Sequence, residues 1–128
     1  MIEFVVPEKP RVQGSPSEKQ WRDKVQQAAQ HLDKRLDGPL RLRIDYFFRR
    51  TTDLDADNMI QPIQNALKKV LYEDDSTVVD VCARKINLDE RTIDLDGAPE
   101  CLRSALEEQE GDFVLITVAP AHSEVAFA

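Results

Sequence analysis

Residues 40–58 read LRLRIDYFFRRTTDLDADN, and this stretch sets the architecture of the chain. Residues 40–48 alternate apolar with polar or charged side chains, which is the period of a half-buried β-strand. The strand leads through two arginines into the acidic segment of residues 53–58, which has a carboxylate at every second position. Those carboxylates are Asp53, Asp55 and Asp57.

A second acidic cluster, Glu73-Asp74-Asp75, follows one helix later. The intervening residues 60–71 have an apolar face at helical spacing, with the regular helix beginning at Gln61 or Pro62 because proline is tolerated only in a first turn. A helix of this length spans about 18 Å, so the two clusters can meet only if the chain folds back after Leu71.

Crowded carboxylates repel one another, and a hard divalent cation such as Mg²⁺ or Mn²⁺ is the simplest compensation. The competing interpretation is structural. Asp and Asn are common in turns and at helix starts, and residues 73–75 then form a solvated loop. Spacing alone does not choose between a metal site and a solvated surface.

The sequence on both sides of this stretch predicts further elements. The segment Ser15-Pro16-Ser17-Glu18 predicts a helix start with Ser15 as N-cap and Glu18 closing a capping box, and Asp37-Gly38-Pro39 predicts its end. The other predicted elements are strands at 2–6, 77–86 and 113–118, a helix at 98–108, and a loose tail at 119–128. The order predicts one α+β domain, a small, mostly antiparallel four-stranded sheet with helices packed on it.

Composition restricts the function classes. The 128 residues carry a net charge of −7, which argues against a general nucleic-acid binder, yet the charge is uneven. Residues 1–50 hold 11 basic and 7 acidic side chains, so that half could face phosphates. The two cysteines lack metal-site spacing and no apolar run approaches the length of a membrane span, so we expect a cytoplasmic protein with reduced thiols.

Together these motifs resemble a known family. Asp55, Asp57 and Asn58, then the amphipathic run, then the segment YEDDSTVVD at 72–80 are similar to the signature of the RusA family of Holliday junction resolvases. The order of the strands, including the strand that runs into Arg49-Arg50, follows the family as well. The resemblance covers most of the chain apart from the acidic insertion at 88–112.

The resemblance implies a RusA-like fold and a homodimeric, magnesium-dependent endonuclease that nicks branched DNA at four-way junctions, with no membrane partner. It places the catalytic, metal-binding aspartates at Asp55, Asp57 and Asp75. A positive edge for the DNA backbone is expected from the basic residues Arg49, Arg50, Lys68 and Lys69.

One position departs from the family pattern. The family usually has a lysine four residues after the second aspartate, where this chain has Gln61 at the catalytic position. A neutral amide supplies no charge, so a RusA-like protein that binds junctions or metal without cleaving is the second hypothesis. The third is a non-enzymatic acidic interaction protein with a calcium loop, which is disfavoured because a strand precedes the loop and Asn58 and Gln64 stand where glycine and glutamate are needed.

Overall fold

A computed structural model describes residues 1–127, and its core is a four-stranded sheet in the order β1, β4, β2, β3. β4 pairs antiparallel with both β1 and β2, whereas β3 pairs parallel with β2. The prediction of an α+β fold with a mostly antiparallel sheet is therefore confirmed. The elements are β1 Ile2–Val6, α1 Glu18–His31, β2 Leu40–Phe48, α2 Ile60–Leu67, β3 Val78–Asn87, α3 Glu100–Glu108 and β4 Phe113–Pro120.

β2 is shared by two apolar cores on opposite faces of the sheet. Its alternate residues Leu42, Ile44 and Tyr46 are fully buried in the larger core, which contains the apolar faces of α1 and α2. Phe47 points to the other face and packs in a smaller core with Phe113 and α3. The alternation in the sequence follows from this arrangement, because successive side chains of a strand face opposite sides.

The polar face of β2 also holds a buried charge. Asp45 is only 3% exposed, and it pairs with the Nε atoms of Arg84 at 2.6 Å and of Arg43 at 3.3 Å. Arg84 lies directly opposite Asp45 on β3, and Arg43 lies two residues before it on β2. The strand pattern identified Asp45 as a polar position, but its burial depends on an arginine 39 residues away.

The crossover from β2 to β3 positions both acidic clusters. The chain leaves β2, makes a short 3-10 turn at Ala56–Met59, runs back along α2 and enters β3 beside β2. Pro62 lies in the first turn of α2, where its missing N–H leaves no hydrogen bond unmade. The two acidic clusters consequently lie at opposite ends of α2.

The predicted ends of α1 and α2 are wrong. α1 begins at Glu18 after Ser17, and the hydroxyl of Ser15 donates to the carbonyl of Val12 instead of capping the helix, so no capping box forms. α1 already ends at His31, before a left-handed Asp33 with φ +49°. α2 stops at Leu67 because the backbone of Lys68 is extended, with ψ 132°, and Lys69 then turns left-handed, with φ +65°.

The C-terminal segment also differs from expectation. β4 continues to Pro120, and Ala119 is buried, so the first residues of the predicted loose tail belong to the sheet. Residues 121–127 lie outside the helices and strands, and Ala128, the end of that predicted tail, lies outside the described residues.

Candidate metal and DNA site

Leu54 anchors the acidic segment by inserting between its aspartates. Its side chain is buried in the larger core, and its N–H donates to the hydroxyl oxygen of Thr52 at 3.2 Å. Thr52 is hydrogen-bonded in turn to the hydroxyl of Tyr46, which donates to Asp112 at 2.6 Å. Burial, with the nearby carboxylate of Asp112, raises the pKa of Tyr46, so this hydroxyl remains protonated. The aspartates on either side of Leu54 are left exposed.

The six carboxylates of the two clusters divide into paired and unpaired groups. Three have partners within the chain: Asp53 with Lys9, Glu73 with both Arg35 and Lys69, and Asp74 with Lys68 and Ser76. The other three, Asp55, Asp57 and Asp75, form no ion pair with any residue in 1–127. The unpaired group is the set that the family resemblance assigns to metal binding.

Asp75 is the unusual member of the unpaired set. It opens the short turn Asp75–Thr77 before β3, and its Oδ1 is buried without a hydrogen-bond partner. The fully buried Tyr72 lies beside it, and burial, together with the charge of Asp75, raises the pKa of Tyr72. A buried carboxylate oxygen that accepts nothing is costly, and a bound cation is one means of compensating it.

The donors fit a hard divalent cation in type, because all three are carboxylates. They are not gathered in one chain. Within residues 1–127, no three Asp, Glu, His or Cys side chains lie close enough together to hold a metal ion. Asp57 precedes α2 and Asp75 follows it, and the eight residues of that helix rise by about 12 Å. The described residues therefore do not bring Asp55, Asp57 and Asp75 together as one three-ligand group.

Gln61 lies in the first turn of α2 and is exposed. Its Nε2 donates to Oδ1 of Asn65 at 2.8 Å, one turn along the helix. This contact holds the amide along the surface of α2. Asn58 contributes to the same turn through its backbone, since its N–H donates to the carbonyl of Asp55 at 3.1 Å.

The four basic residues expected to contact DNA form two patches instead of one edge. Arg49 and Arg50 follow β2 beside the first acidic cluster, and neither forms an ion pair within residues 1–127. Lys68 and Lys69 lie beyond the far end of α2 and pair with Asp74 at 3.4 Å and Glu73 at 2.9 Å. Exposed ion pairs are weak, so phosphates can compete for both lysines.

We expect Asp74 to titrate well below an ordinary aspartate. Hydrogen bonds from the hydroxyl and N–H of Ser76, with Lys68 nearby, lower the pKa of Asp74 from 3.8 to about 2. These contacts therefore favour the fold above pH 3.8, and their contribution is lost as the pH falls towards 2. Carboxyl NMR titration should show a higher pKa in Ser76→Ala, whereas an unchanged pKa would show that Ser76 does not stabilise the carboxylate.

Comparison with known proteins agrees with the resemblance in the motifs. The family model described as Endodeoxyribonuclease RusA matches residues 5–95, which include both acidic clusters and the elements β2, α2 and β3. A search of curated proteins finds no significant match. Among the described residues, no helix combines the length and apolar character that crossing a bilayer requires.

Proposed function

This chain belongs to the RusA endodeoxyribonuclease family, and from that premise we propose that it is a divalent-metal-dependent nuclease that resolves four-way DNA junctions. The reaction is phosphodiester hydrolysis in recombination and repair. We propose Asp55, Asp57 and Asp75 as the ligands of Mg²⁺ or Mn²⁺. We also propose a cytoplasmic location, in keeping with free Cys82 and Cys101.

The observation that carries this proposal is the division of the carboxylates. If both clusters were only solvated surface, ion pairs would be expected to fall on any of their members. Instead Lys9, Lys68 and Arg35 neutralise the neighbours and leave Asp55, Asp57 and Asp75 without a cation. The buried Oδ1 of Asp75, which has no hydrogen-bond partner within the described residues, supports a cation at this position.

The protein supplies charge and position around the reaction. A divalent ion bound to carboxylates lowers the pKa of a water molecule and stabilises charge on phosphate oxygens. Leu54 fixes the backbone between Asp53 and Asp55 by its burial, so the aspartates do not move freely with the loop. Arg49 and Arg50, directly before that segment, are placed to hold a DNA phosphate without reading base sequence.

We propose the homodimer implied by the family as the working unit. The described chain does not gather three metal ligands, so a second copy is the simplest source of the missing group. Symmetric nicking of a four-way junction also requires two sites related by symmetry. A monomer that binds the metal with full affinity would contradict this part of the proposal.

The second candidate function is binding of junctions without cleavage, and the glutamine at position 61 favours it. The amide is engaged with Asn65 and brings no positive charge to the reacting phosphate. One experiment distinguishes the two candidate functions. The protein is incubated, with Mg²⁺ or Mn²⁺, with a labelled four-way junction and with a linear duplex of the same sequence. Nicking of the junction alone supports the nuclease, whereas retention of the junction on a gel without nicking supports the binding protein.

We expect Gln61→Lys to nick junctions about tenfold faster or more, because a lysine there adds charge near the developing negative charge on phosphate. Gln61→Met is the matched control, since it removes the hydrogen bond to Asn65 without adding charge. Single-turnover rates on the labelled junction provide the measurement. Equal acceleration by both variants would mean that the faster nicking comes from freeing Asn65 and not from the positive charge of the lysine.

A further inference from the structure

β3 is an edge strand whose residues 79–85 are largely exposed, whereas Ile86 near its end is buried. It is the last strand of the sheet, and its only strand partner in the described chain is β2. Val79 is 59% exposed and Val81 is 41% exposed. An edge strand leaves one row of backbone N–H and C=O groups unpaired, and these groups can pair with another chain.

Exposed residues of β3 lie on both faces of the sheet at this edge. On the face that carries α3, Asp80, Cys82 and Arg84 line an open cavity of about 500 Å³. α3 itself packs nearer β1, at the opposite edge of the sheet. On the other face, the half-buried Ala83 packs against the larger core, whereas Val81 is exposed. The 3-10 turn Ala56–Met59 contacts β3 and residues 93–99 line the same cavity, so an added strand would pair along the largely exposed residues 79–85.

We propose that β3 pairs antiparallel with β3 of a second copy, joining the two sheets into one across a two-fold axis at Cys82. The inference rests on the homodimer in the proposed function and adds where its interface lies and in which register. The proposed interface forms between the two protein chains without metal or DNA.

The charge pattern of β3 selects this register. Residues directly opposite one another lie on the same face of a sheet, so two-fold pairing of a strand with itself places one residue opposite its own copy. With Cys82 at that position, Asp80 faces the partner's Arg84, and the same pair forms again by symmetry. Registers centred on Asp80 or on Arg84 instead place like charges opposite each other.

Both charged groups are available for the contact. Asp80 is exposed and forms no ion pair with any residue in 1–127. Arg84 contacts Asp45 through Nε, and its two terminal nitrogens form no hydrogen bond within the same residues. The register also places Val81 opposite Ala83 of the partner subunit, and this contact would cover the exposed surface of Val81.

Thiol cross-linking tests the register on the unmodified protein. A short bismaleimide linker should join two copies through Cys82, so the covalent dimer should persist in Cys101→Ser and disappear in Cys82→Ser. Cys101 is half-buried on α3 and is not part of the proposed interface. A dimer that still forms in Cys82→Ser would overturn the Cys82-centred interface.

Sedimentation velocity, without DNA or metal, tests the charge pairing. Asp80→Arg should raise the dissociation constant of the dimer by roughly tenfold or more, because two attractive pairs become repulsive, and Asp80→Asn should raise it less. Glu107→Arg, the same charge change on exposed α3, is the control and should leave it unchanged. A monomeric parent chain, or equal weakening by Glu107→Arg, would overturn the interface; a dimer that fails to cut DNA would overturn only the proposed function.

Discussion

Asp57→Asn is expected to reduce junction nicking by more than about 100-fold, since loss of partners that merely support metal ligands already costs 10- to 100-fold. Asp57 is exposed and forms no ion pair within residues 1–127, so the substitution should leave the fold intact. The measurement is single-turnover cleavage of the labelled junction, with binding of Mn²⁺ followed separately by magnetic resonance.

The control for Asp57→Asn is Asp53→Asn, four positions earlier in the same acidic segment. The carboxylate of Asp53 is held by Lys9 at 2.7 Å, and we expect its loss to change the nicking rate only slightly. Equal loss of activity in both variants would show that general negative charge, and not a specific ligand set, supports the reaction. Full activity in Asp57→Asn would remove Asp57 from the site.

Phe113→Ala is expected to lower the free energy of unfolding by about 3–5 kcal/mol, the range for truncating a buried phenylalanine. Phe113 is fully buried at the start of β4 and stacks on Phe47, with ring centroids 4.8 Å apart. Removing the ring leaves a cavity in the smaller core, beneath α3. Urea unfolding followed by circular dichroism would measure the change.

Phe127→Ala provides a matched control for the same truncation. Phe127 is 98% exposed, so its replacement should change the unfolding free energy by no more than about 0.5 kcal/mol. A loss below about 1 kcal/mol in Phe113→Ala would mean that the smaller core adds little to the stability of the sheet. A change in the urea dependence of unfolding would instead point to loss of two-state behaviour.

The strands could be predicted from the sequence because their signals are local. The alternation in 40–48 and the β-branched run in 2–6 agree with β2 and β1 at both ends. Helix ends were harder to predict, since α1 ends before a left-handed Asp33 and α2 ends at an extended Lys68 followed by a left-handed Lys69. Asp enters that conformation more often than most residues and Lys does so rarely, but no spacing in the sequence marks either position.

Only part of the candidate site could be predicted from the sequence. Regular spacing drew attention to the acidic residues, and the family resemblance separated Asp55, Asp57 and Asp75 from the rest. Which carboxylates have partners depends on ion pairs across long stretches of chain, such as Lys9 with Asp53, 44 residues apart. The grouping of these three aspartates around one metal ion also depends on the assembly of two copies of the chain, and it stays a prediction.

The position of β4 has a consequence for biosynthesis. β4 joins β1 to β2 within the sheet, yet it is the last of the four strands to be synthesised. Until Phe113–Pro120 emerges from the ribosome, β1 lacks its only strand partner in the described chain, and both apolar cores lack one wall. The nascent chain can form α1 and the β2–α2–β3 crossover early, but its sheet closes only after β4 has emerged. Ribosome-bound chains that stop before β4 should therefore be protease-sensitive and rely on chaperones.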